Sequence, residues 1–210
     1  MSVQTFLSAG GIVTFPLLGF SLVAVVLIIE RLSFWLRVNR RQHKLVRDVL
    51  YNYASDRQGT THRLEQQTDL PISRIFLKAL ELDGLSPEEF RLALESAAQA
   101  ELPTLRRFST VFETIISVAP LLGLLGTILG LIQAFASLDL GRVGGSQTAG
   151  VTAGIGEALV STVMGLVVAI VTLLFANLFR GLYRRQLAFI QESGGRLELL
   201  YRRLSDRQGL

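Results

Sequence analysis

VAPLLGLLGTILGLIQAF, residues Val118 to Phe135, holds no charged side chain, and its reading decides the fold. It supplies most of a membrane crossing, which takes roughly 20 apolar residues. Yet it carries Pro120, Gly123, Gly126, Thr127 and Gly130, residue types that weaken a helix in water. Gly123, Gly126, Thr127, Gly130, Ala134 and Ser137 recur every three or four residues and so share one helical face. Small residues on one face let two helix backbones approach closely in lipid, and the run from Gly126 to Gly130 is a small-xxx-small pattern. The segment reads as a transmembrane helix built for close packing.

Working outward, the 210-residue chain is 50% hydrophobic and 18% charged, too apolar for an ordinary soluble domain. Apolar runs from Ile12 to Ile29 and from Val151 to Phe179 accompany the one from Ile115 to Leu138. These place transmembrane helices at 12–30, 112–138 and 151–179. The expected fold is an all-α integral membrane protein, with a helical cytoplasmic domain at 31–111 and a C-terminal cytoplasmic helix at 180–210.

The net charge of +4 is arranged by topology rather than for nucleic acid. No Lys or Arg precedes the first span, whereas Arg31, Arg37, Arg40, Arg41, Lys44 and Arg47 follow it, and Arg180, Arg184 and Arg185 follow the third. The loop between the second and third spans carries one basic residue, Arg142. The positive-inside rule then puts segment 1–11 and loop 139–150 outside, and the long middle segment and the C-terminal tail in the cytoplasm. A signal peptide would carry its basic residues before the apolar run, so an uncleaved span is expected. Phe34 and Trp35 fit an interfacial aromatic anchor.

The chain has no cysteine, and its two histidines, His43 and His62, sit among polar residues. No nucleophile with its base, phosphate loop or metal cluster is evident, so neither enzyme chemistry nor a cofactor or metal is expected.

In the polar segment, Arg40 to Ala54 reads as helix, SDRQGTTH (Ser55 to His62) as loop, and Ile72 to Leu82 as a short amphipathic helix ending before Gly84. SPEEF then gives a start signal: Ser86 as cap, Pro87 at the first helical position and Glu89 completing a capping box. Phe90, Leu94, Ala97, Ala98 and Leu102 continue that helix toward the second span, either unbroken or bent at Pro103. Beyond the third span a helix weakened at Gly194 and Gly195 is expected.

The third span repeats the small-residue stripe with Gly154, Ala158, Ser161, Thr162, Gly165, Ala169, Thr172 and Ala176, but also holds Glu157. An acidic or basic side chain at a helix centre costs on the order of 2.5–3.5 kcal/mol on insertion scales, so such a residue usually faces protein or a wet cavity. Glu113 lies at the inner edge of the second span and reads as an interfacial charge. Thr127, Glu157, Ser161 and Thr162 would make a sparse polar path. Three helices cannot both enclose it and shield it from lipid, so an oligomer, a partner or both are implied.

VAPLLGLLGTILGLIQAF followed by GIGEALVSTVMGLVVAI (Gly154 to Ile170) resembles the proton-channel family that includes ExbB, TolQ and MotA. Three spans with the polar segment after the first match the ExbB/TolQ branch. The resemblance implies a homopentameric ring in the bacterial inner membrane, lined by the second and third helices. An ExbD/TolR-like single-span partner in the pore would supply the proton-carrying aspartate. Protons, or alternatively sodium ions, would drive the partner's movement. Thr127 and Thr162 match the family's pore threonines and Glu157 its glutamate, with Ser161 beside them. Pro120, Gly123, Gly126, Gly130, Gly154 and Gly165 would form the helix-packing and pore face, smooth enough for a partner to turn against. Where the family commonly carries prolines, this chain has Ala153 and Val171, which removes the basis for helix bends there; Asn177 matches. Two other functions stay open: a membrane scaffold without conduction, for which the threonines are irrelevant to flux, and a self-contained channel or transporter, which would conduct without a partner.

Overall fold

The computed structural model describes residues 11–82, 84–136 and 146–208, without the side chains of residues 146–151, 153, 157 and 207–208. Segment 1–11 lies almost wholly outside the described residues, as does most of loop 139–150. Among the described residues six helices follow in order: α1 Thr14–Asn52, α2 Arg57–Glu65, α3 Pro71–Leu80, α4 Pro87–Leu105, α5 Ser109–Ala136 and α6 Ser146–Gln208. No strand occurs among the described residues. Among the described residues three helices, α1, α5 and α6, are long and apolar enough to cross a membrane. The fold is all-α, as the hydrophobic runs require. The chain divides into two units, Met1–Glu30 with Phe108–Leu178, and Arg31–Arg107 with Phe179–Leu210.

In the first unit Val13 and Leu17 pack with Ala119 and Ala169, flanked by Phe20, Leu122, Leu129, Met164 and Val168. The interior is small and the exterior is large and greasy: Phe15, Leu22, Leu121, Leu159 and Leu174 are all more than half exposed. A water-soluble protein seldom shows so much contiguous apolar surface. Lipid removes the penalty, and what remains to hold the helices is van der Waals contact between small residues.

The second unit is built as a soluble domain is. Leu64, Leu70, Ile72, Phe76, Ala79 and Phe90 are fully buried. Ser73 Oγ donates to the Leu64 carbonyl at 2.6 Å, fixing α3 on the end of α2. Arg74 reaches from α3 to α4, where its Nε and Nη2 donate to the two carboxylate oxygens of Glu101 at 2.9 and 2.5 Å. Glu101 is buried, and the paired geometry satisfies both of its oxygens. The Phe90 ring stacks on Tyr201 of α6 with centroids 4.0 Å apart, and Tyr201 Oη donates to the Leu85 carbonyl at 2.7 Å.

The capping box at α4 forms as its sequence dictates. Ser86 Oγ accepts from the Glu89 amide at 3.3 Å while the Glu89 carboxylate accepts from the Ser86 amide at 2.8 Å. Gly84, with φ +70°, supplies the left-handed turn between α3 and α4 that other residues adopt at a cost.

Two local expectations are corrected. Ser55 to His62 does not form a continuous loop, because α2 begins at Arg57. Asp56 Oδ1 accepts from the Gly59 amide at 2.8 Å and caps the helix, and Thr60 and Leu64 are buried on its inner face. Polar composition hid one good cap and one anchoring leucine. Nor does α4 run unbroken into the second span. It ends at Leu105, two residues beyond Pro103, and Phe108 takes φ 67° before α5 starts. Gly194 and Gly195 lie within the helix expected there, and α6 is continuous to Gln208.

Candidate functional site

The small-residue faces of α5 and α6 meet each other. Gly123 lies against Ser161 and Thr162, Gly126 against Ser161, Gly130 against Ala158 and Gly154, and Ala134 against Gly154. Gly165 lies against Ala119 and Gly123. As the α5 numbers rise the α6 numbers fall, so the two helices run antiparallel along one seam.

The closeness of that seam is quantitative. A Cβ on Gly123 would stand 3.0 Å from the Ser161 carbonyl oxygen and 3.0 Å from Thr162 Cα. One on Gly130 would stand 2.9 Å from Ala158 Cβ, and one on Gly165 only 2.5 Å from the Ala119 carbonyl oxygen. A Cβ on Gly126 would collide with Ser161 Oγ. These distances explain why the segment carries glycine where propensity would favour alanine or leucine: the backbones occupy the space that side chains would need. Pro120 adds a second departure from a regular helix, since it has no amide hydrogen for the Ile116 carbonyl one turn back.

The hydroxyls serve this seam. Thr162 Oγ1 crosses from α6 to donate to the Gly123 carbonyl at 3.0 Å. Ser161 Oγ lies 2.7 Å from the Ala158 carbonyl in its own helix and 3.3 Å from the Gly123 carbonyl. A hydroxyl has one proton, and the shorter contact is the better donor geometry. Thr162 is therefore the principal side-chain donor to Gly123.

Thr127 behaves differently. Its hydroxyl donates to the Leu124 carbonyl of its own helix at 2.6 Å, and it shares no hydrogen bond with Thr162. The structure thus brings Ser161 and Thr162 together on Gly123 and leaves Thr127 one turn further along α5. Glu157 lies within α6, and its side chain falls outside the described residues. Among the described residues no group of His, Cys, Asp and Glu is arranged to hold a metal ion.

Some groups were not singled out by sequence reasoning. Ala119 completes the seam beside the Ala134 and Ala158 already read on the small-residue stripes, and only its spacing with the glycines could have marked it. Arg31 read as one of several topological charges, yet it is 2% exposed. Its Nη2 donates to the Leu105 carbonyl at 2.6 Å, at the end of α4 where carbonyls lack helical partners. The Phe34 ring centroid lies 4.6 Å from its guanidinium carbon.

The profile of the MotA/TolQ/ExbB proton channel family matches residues 67–192, which include the whole α5–α6 seam. This chain belongs to that family. A Synechocystis sp. protein bearing the name biopolymer transport protein ExbB-like 3 is 63% identical over 199 residues, covering 95% of each chain. A second from the same organism, ExbB-like 1, is 44% identical over 67% of this chain and 55% of its own. An ExbB homolog from Methanothermobacter thermautotrophicus is 26% identical over 66% of this chain and 50% of its own. Family membership and the three apolar helices together make this a multi-pass membrane protein of the ExbB-like transport class.

Proposed function

We propose that this chain is the ring-forming subunit of an inner-membrane motor driven by the proton-motive force. The observation that carries the reading is the family match across the antiparallel α5–α6 pair, with Thr127 and Thr162 in the sequence context of the family's pore threonines. In this reading five copies form the ring, an ExbD/TolR-like single-span subunit sits within it, and the partner's aspartate carries the proton. Thr127 and Thr162 offer hydroxyls to water or to that aspartate, and Glu157 sets the local field. One charge moving through 100 mV releases about 2.3 kcal/mol, enough per step to bias a rotation or rearrangement of the partner. Segment 1–11 and loop 139–150 face outward, and 31–111 and 180–210 face the cytoplasm.

A second reading is favoured by one observation: the Ser161 and Thr162 hydroxyls bond within their own chain. On that reading the chain is a scaffold and the hydroxyls are only seam contacts. Proton flux into vesicles containing this chain and its cognate single-span partner separates the two. Flux that needs both proteins and collapses in Thr127→Val and Thr162→Val supports the motor. Undiminished flux in both variants removes the proposed path, and no flux from a confirmed assembly favours the scaffold.

A further inference from the structure

One end of the second unit carries a group of exposed arginines outside any ion pair among the described residues. Arg31 Nη2 on the Leu105 carbonyl, 2.6 Å away, ties the start of this unit's part of α1 to the end of α4. The Arg106 guanidinium carbon, 4.5 Å from the Tyr183 ring centroid, ties the end of α4 to α6. These two contacts gather the three places where the chain enters or leaves the unit, at residues 31, 107 and 179. Exposed Arg37 and Arg40 lie within three turns of the first, and exposed Arg184 and Arg185 directly follow Tyr183. No Asp or Glu occurs from Arg31 to Arg47, from Leu102 to Phe112, or from Phe179 to Gln191. Among the described residues Arg37, Arg40, Arg184 and Arg185 form no ion pair, whereas Arg41, further along α1, is paired with Asp69 at 2.7 Å.

We propose that this basic collar binds the phosphate headgroups of anionic phospholipids. The occupant follows from covalent continuity: each collar segment leads directly into an apolar span. At 1.5 Å rise per residue, Arg184 and Arg185 stand about 8–9 Å from Phe179 along the helix, within reach of the headgroup layer for a long side chain. A guanidinium pairs with phosphate through two parallel hydrogen bonds, and four unpaired ones on two adjoining helices exceed what a single exposed arginine offers. Each basic residue beside an anionic surface favours it by about fivefold. The proposal rests on the membrane class of the protein and not on ion conduction, so a failed flux experiment leaves it standing.

The test is native mass spectrometry of the full chain after equilibration with equal amounts of phosphatidylglycerol and phosphatidylcholine. The wild type should retain phosphatidylglycerol in preference by at least about tenfold, given several such contacts. R184Q/R185Q and, separately, R37Q/R40Q should each lower that preference by about fivefold or more. R63Q/R203Q, exposed arginines away from the chain passages, should leave it unchanged. Circular dichroism checks that each variant is folded. The proposal is overturned by a wild type without preference, by collar variants that keep it, by an equal loss in the control, or by inorganic phosphate competing the lipid away. That last result would assign the site to a soluble anion.

Discussion

Gly165 approaches Ala119 so closely that a methyl group on Gly165 would sit 2.5 Å from the Ala119 carbonyl oxygen. The obstacle is backbone in the facing helix, which cannot rotate away. Gly165→Ala should therefore force α5 and α6 apart and destabilise the first unit by about 1–3 kcal/mol, the usual cost of overpacking. Gly181→Ala meets nothing within 4 Å and serves as the control, with unchanged or slightly raised stability. Thermal unfolding of both variants in one detergent checks the difference; equal midpoints would remove the seam argument.

Glu101 gives a second measurable consequence. Its side chain is 7% exposed while that of Arg74 is 28% exposed, so one partner is desolvated and the other keeps some water. Glu101→Gln should lower the stability of the second unit by about 2 kcal/mol, below the 3–5 kcal/mol of a pair broken in full burial. Denaturant unfolding monitored through Trp35, which lies in the same unit, reads this directly.

The α5–α6 seam was legible because close packing in lipid leaves a periodic signature, visible in Gly123, Gly126 and Gly130 alone. The capping box was legible because Ser86 and Glu89 act on backbone within one turn. What escaped was non-local or compositionally disguised. Arg31 in sequence is one of a row of cations, and only the arrival of Leu105 from another helix makes it a buried helix cap. Helix α2 looked like a loop because its stabilising groups, Asp56 and Leu64, are two residues among polar neighbours. The break at Phe108 has no glycine to announce it, since a phenylalanine holds the left-handed conformation there.

The capping box also sets a pH dependence. Glu89 lies in the second unit, well before the second span, and hydrogen bonds from Ser86, the backbone amide first and then the side chain, hold its carboxyl below the ordinary value of 4.5. A carboxylate with a lowered folded pKa contributes stability that is complete above its unfolded pKa and is lost as pH falls through the folded value. The start of α4 should thus loosen only below about pH 4.5. Ser86→Ala should lower the unfolding midpoint at neutral pH by a few degrees and flatten the acid limb. Unfolding midpoints of wild type and variant between neutral and acid pH compare the two; parallel curves would mean that the box does not govern that limb.

Thr127 and Thr162 separate packing from conduction because their hydroxyls are used differently. Thr162 donates across the seam, so Thr162→Val removes an interhelical bond and leaves the Gly123 carbonyl with one fewer donor. Such bonds between membrane helices are worth about 0.6 kcal/mol on average. Thr127 donates only to Leu124 in its own helix, so Thr127→Val keeps the shape and leaves the seam untouched. Stability should fall modestly in Thr162→Val and stay level in Thr127→Val. Flux in the same preparations then assigns the roles. Loss of flux in Thr127→Val at unchanged stability would mark a hydroxyl acting on the ion path. Loss confined to Thr162→Val, in step with its stability, would make helix packing the cause.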